Sequence, residues 1–164
     1  MKRRRGPGRA SPDGFVVELD PDESALVLRL LDELRALLTD ENPSDEARVL
    51  MVRLFPVAHP DDEDAEAEYQ RWMRDELVQS KLAAFDLVQE MLTDESGVAV
   101  DEGRLIAFMQ SVNSIRLVLG TMLGVTDDPD IAEVDEGFED SPEYHLYAFL
   151  SWLLEHTVRA LWDA

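Results

Sequence analysis

Asn113 and Arg116 stand three residues apart in the segment from Asp101 to Val125, DEGRLIAFMQSVNSIRLVLGTMLGV, whose remaining side chains are mostly apolar. Residues three apart are neighbours on one face of a helix. A guanidinium on so apolar a helix is costly unless it is paired. One reading pairs Arg116 with an acid from the preceding helical segment, Asp75 or Glu76, with Asn113 bonded nearby. The other groups Asn113, Arg116 and Lys81 as a small anion or partner pocket, with the guanidinium as a bidentate donor. Arg74 and Lys81 are seven apart and therefore share a helix face. They offer either surface ion pairs or a basic landing patch for an acidic partner segment.

Other chemistry finds no template. His59, His145 and His156 include no i, i+4 pair, and no H-E-x-x-H occurs. The chain has no cysteine, which removes disulfides, thiolate catalysis and cysteine zinc ligands. No Walker loop, G-x-G-x-x-G or G-x-S-x-G is present. The acidic run His59-Pro60-Asp61-Asp62-Glu63-Asp64 places carboxylates at consecutive positions, which point in different directions and define no metal geometry. It reads as a solvated helix start, where acids complement the macrodipole. The expectation is a non-enzymatic protein without metal or cofactor.

Charge narrows the partners. Residues 1–10 carry five of the 15 basic residues and no acid, so the rest of the chain sets ten bases against 36 acids, a charge of −26 within the total of −21. Such a body repels a phosphate backbone, whose binding needs several cationic contacts. Direct nucleic-acid binding by the body is not expected, whereas basic protein surfaces would be steered towards it. The uncharged apolar runs fall far short of a membrane span, and nothing near the start resembles a signal peptide. A cytoplasmic location fits.

The elements that would position these residues follow from spacing. Residues 1–13 read as a basic disordered arm and residues 14–164 as a single helical domain. Gly14–Leu19 and Gly97–Val100 read as short strands, each running into an aspartate and an amphipathic helix. Pairing these two strands with each other would hide two lone edges. Asp20 caps a first helix ending near Leu38, and Ser44 caps a short one ending by Phe55, before Pro56. A long helix spans about Asp64 to Thr93. Asp101 caps the central helix, whose stripe is Leu105, Phe108, Met109, Val112, Ile115, Leu119, Met122 and Leu123. Residues 126–143 hold nine acids and two prolines and read as an acidic loop. A last helix runs from Pro142 to about Leu161. Its second face, Phe149, Trp152, His156 and Arg159, is either core or partner surface, and an exposed Phe149–Trp152 face would pair two copies as a homodimer. The fold class expected is mainly α, a four- to five-helix domain with a small two-stranded antiparallel β-ribbon.

The segment VNSIRLVLGTMLGV resembles the signature of a family of small actinobacterial proteins, a domain of unknown function, patterned roughly Leu-Asn-x-x-Arg-Leu-x-Leu-Gly-x-x-Leu-Gly-Ile. Asn113, Arg116, Leu117, Leu119, Gly120, Leu123 and Gly124 match it, while Val112 and Val125 replace Leu and Ile. The runs VELDPDESALVLRLL, EYQRWMRDELVQSK and YAFLSWLLEHTVRALW are similar to the family in the same order, so the likeness covers about Gly14 to Leu161. The resemblance implies an AosR-like oxidative-stress transcriptional regulator that contacts an alternative sigma factor. Typical gene neighbours of the family imply two alternatives, an accessory role in Clp-linked quality control or in sulfur-transfer cysteine biosynthesis. A small-anion-binding role through Asn113 and Arg116 is the remaining alternative. A thiol switch does not carry over, because the chain has no thiol. The residues that would contact a partner or an anion are Arg74, Lys81, Asn113, Arg116 and Trp152.

Overall fold

Among the described residues, four helices begin on a side-chain oxygen. Asp20 accepts the Glu23 amide at 2.7 Å, Ser44 that of Ala47 at 3.1 Å, Asp62 that of Ala65 at 3.1 Å and Asp101 that of Arg104 at 2.8 Å. Each satisfies an amide that the first turn leaves without an intrahelical partner, worth about 0.5–2 kcal/mol apiece. These caps start α1 (Pro21–Thr39), α2 (Asp45–Met51), α3 (Glu63–Thr93) and α4 (Glu102–Met122). A single 3-10 turn, Val52–Leu54, follows α2, and Phe55 then leaves helical geometry at φ −126° and ψ 77°, as the residue before a proline must. A fifth helix, α5, spans Pro142–Trp162. The computed structural model describes residues 8–11, 14–55, 57–94, 99–123 and 142–163. Most of the acidic loop expected at 126–143 lies outside these, as does Gly124.

The ribbon is built differently from the expectation. β2 (Gly14–Val17) pairs antiparallel with β1 (Gly8–Ser11), inside the stretch read as a disordered arm. The intended partner segment reaches β2 through one bridge. Phe15 donates to the Val100 carbonyl at 2.9 Å and Val100 donates back at 2.7 Å. Only two positions of sequence separate β1 from β2, a far shorter stretch of chain to close than a pairing across more than 80 residues, so the local pairing costs less chain entropy. Gly14 is where the two pairings meet. It has φ +135°, and a Cβ there would lie 2.5 Å from the Val100 carbonyl oxygen, so a larger residue fails on both counts.

α4 is the central element and touches every other helix. Leu105, Phe108, Val112, Ile115 and Leu119 are buried along its expected stripe, but Met122 at the end is 59% exposed. Burial also extends to the small residues Ala107, Ser111, Ser114 and Gly120. Those let neighbouring helices come close: a Cβ on Gly120 would sit 3.2 Å from the Tyr147 ring of α5. By length and hydropathy alone α4 could cross a bilayer; here it is the core helix of a bundle. Around it gather Val27, Leu31, Leu34 and Leu38 of α1, Phe85 and Val88 of α3, and Leu150 and Leu153 of α5. Each fully buried large side chain contributes about 1.5–3 kcal/mol. A smaller cluster of Phe15, Leu105 and Ala160 anchors the ribbon to the start of α4 and the end of α5.

Candidate functional site

α3 and α4 bound a cleft of about 360 Å³. From α3 come Ser80, Lys81, Ala84 and Phe85, and from α4 Gln110, Ser111, Asn113, Ser114 and Leu117; Arg53 and Leu54 close one end. Ser111 and Ser114, three apart on α4, share a face and add two small polar side chains to a largely apolar helix. Among the described residues the lining includes two cationic side chains and no carboxylate.

Lys81 is half-buried and has neither an ion pair nor a hydrogen-bond partner among the described residues. Its partial loss of hydration lowers its pKa from the ordinary lysine value, because a low-dielectric setting disfavours the charged form. Ser111 is 1% exposed and its Oγ has no hydrogen-bond partner among the described residues. A helical serine ordinarily bonds back to a carbonyl of the previous turn, so this hydroxyl is left over.

Arg116 donates from Nη2 to Asn113 Oδ1 at 3.0 Å, while its buried Nε has no partner among the described residues. The expected ion pair with Asp75 or Glu76 is not formed. Both acids are exposed on α3, and the nearest acceptor for Arg116 lies on its own helix. Asn113 faces the cleft with Lys81, and Arg116 holds Asn113 from behind without lining the cleft itself. Of the three residues grouped from the sequence, two share the cleft and the third is attached to one of them.

Arg74 is placed elsewhere. Its guanidinium lies 4.8 Å from the Phe55 ring centroid, a cation–π contact, and it lines a separate hollow with Asp40, Glu41 and Asp75. The seven-position separation of Arg74 and Lys81 puts about 10 Å of helix between them, and the two side chains serve different surroundings. Trp152 is 39% exposed and stacks edge-on against His156 at 4.8 Å, while Phe149, 6.0 Å from Trp152, is half-buried against the core. The aromatic face of α5 is therefore split between core and surface. Among the described residues no group of His, Asp and Glu is arranged to hold a metal ion.

Arg53, Ser111 and Ser114 were not singled out from the sequence as lining residues. Two serines flanking Asn113 on a largely apolar helix are the available signal; for Arg53, only the close approach of the 3-10 turn to α4 reveals its place.

Fold and site together define a mainly α domain, five helices among the described residues with a small antiparallel ribbon on one end. The chain belongs to the family described as a domain of unknown function, DUF2017, whose profile matches residues 3–161. No curated protein and no solved structure matches it.

Proposed function

We propose that this protein is a non-enzymatic regulator or adaptor that works by binding a basic protein partner, a sigma factor or another component of the transcription machinery in the cytoplasm. The observation that carries the reading is the N-terminal half of α3. No residue of that helix before Phe85 is buried, and Trp72 is 70% exposed. Around Trp72 the helix carries Glu63, Asp64, Glu66, Glu68, Asp75 and Glu76 against two bases, Arg71 and Arg74, the second of which lies over the Phe55 ring. A large aromatic side chain in the open is the residue type that anchors protein interfaces, and the surrounding acids select a basic partner and speed its approach. The body's charge of −26 disfavours a DNA-reading role for the same reason. The resemblance of the VNSIRLVLGTMLGV segment to AosR-like regulators supports a role in the oxidative-stress response, without a thiol of its own.

The test is capture by the tagged full chain at low and high salt, with mass spectrometry of what is retained, beside a Trp72→Ala variant. Salt-sensitive recovery of a sigma factor or polymerase subunit, reduced by Trp72→Ala, is the expected result. Recovery of Clp-linked or sulfur-pathway proteins alone would replace this reading with an accessory role in those systems.

A further inference from the structure

The cleft between α3 and α4 inverts the charge of the protein around it. The chain has 36 acids in 164 residues, yet among the described residues no carboxylate lines this cleft and Arg53 and Lys81 both do. An unpaired, half-buried ammonium is unfavourable in the empty fold. So is the Ser111 hydroxyl, 1% exposed and without a partner. Asn113 uses its Oδ1 to accept from Arg116, which directs its amide nitrogen, a donor of two hydrogen bonds, to whatever else it meets. Three side chains on two helices thus bring spare donors to one cleft, with no negative charge among the described residues that line it.

We propose that this cleft binds a small phosphomonoester, its phosphoryl oxygens taking hydrogen bonds from Lys81, Asn113 and Ser111. An ammonium supplies up to three donors, a carboxamide nitrogen two and a hydroxyl one. The three terminal oxygens of a phosphomonoester can accept that many; a carboxylate has fewer sites. Arg116 acts as a positioning residue, since it holds the Asn113 oxygen and so fixes which end of the amide is offered. The apolar wall of Leu54, Leu77 and Leu117 receives the organic part, and the cleft volume lies at the lower end of small-ligand sites, about 300–1,000 Å³. The proposal is independent of the protein-docking role, which rests on the N-terminal half of α3.

The experiment titrates the isotope-labelled full chain with phenyl phosphate, inorganic phosphate and benzoate, following backbone amide resonances. The expected result is saturable shifts confined to residues around Ser80–Ala84 and Gln110–Ser114, with phenyl phosphate binding more tightly than either other probe. Lys81→Met, which removes an unpaired charge and should leave the fold intact, weakens phenyl phosphate by about tenfold or more, the loss expected from one charge-assisted hydrogen bond. Ser111→Ala, the smaller change, weakens it by less, and Arg74→Met, outside the cleft, leaves it unchanged. Non-saturating shifts scattered over other cationic residues would overturn the proposal. So would benzoate binding as tightly as phenyl phosphate, or Lys81→Met binding like the wild type.

Discussion

Arg116 spends a hydrogen bond of 3.0 Å on Asn113, one turn back along the same helix, and meets no carboxylate among the described residues. In a chain with 36 acids that is a choice of the fold. The guanidinium is half-buried beside the central helix, with its Nε enclosed and unpartnered, so its one acceptor matters more than a surface partner would.

Asn113→Ala removes that acceptor and leaves a partly desolvated charge. It should destabilise the protein by about 1–3 kcal/mol, the cost of stranding a hydrogen-bonding group. Arg116→Met removes the charge as well and should cost less, or even stabilise. Urea unfolding of both variants at unchanged m value decides this. A milder effect from Asn113→Ala than from Arg116→Met would show that Arg116 is stabilised by something other than Asn113.

Gly14 joins the ribbon to the bridge at Val100. Gly14→Ala places a methyl group against the Val100 carbonyl in a backbone region that side chains rarely adopt, and should cost about 1–3 kcal/mol. Amide exchange at Phe15 and Val100 should speed up along with the loss of stability. Gly120→Ala meets the Tyr147 ring at 3.2 Å, a neighbour that can shift by a few tenths of an ångström, and should cost less. Equal costs would mean that α4 and α5 are held more rigidly than the ring contact implies.

Glu66 ties the segment before α3 to the helix. Its carboxylate accepts from Gln70 at 2.8 Å and from the amides of His59 and Ala58 at 2.7 and 3.0 Å. The Gln70 donor leads, with the two amides and the neighbouring His59 adding to it, in holding the carboxyl below its ordinary pKa against a smaller upward push from burial. The sign follows: the contribution is present above the ordinary carboxylate value and is lost as pH falls through the lowered folded value. The amide resonances of Ala58 and His59 should therefore titrate together with a midpoint below that of a free glutamate. Glu66→Gln should flatten the titration, and a midpoint at or above the free value would refute the assignment.

Much of the helical framework was legible because it is set locally. Asp20, Ser44 and Asp101 were readable as caps, since a side-chain oxygen and an amide three residues on are neighbours in any helix start. Phe55 was readable as an exit because Pro56 restricts it whatever lies around. The stripe of α4 was readable to Leu119. Met122 at its end is exposed, which periodicity does not report.

What tertiary structure decided was each pairing between distant segments. The side-chain period of a strand says which face is buried and not which strand lies alongside, so Gly14–Val17 could be recognised as a strand while its partner could not. Arg116 could be recognised as needing an acceptor, but whether an acid on α3 or Asn113 lay within reach depended on the rotation of two helices about their axes. The same rotation sets Lys81 beside Ser111 and Asn113 and turns Asp75 and Glu76 towards solvent. Charge and helix period are written along the chain; the empty side of a cleft exists only once two helices are packed.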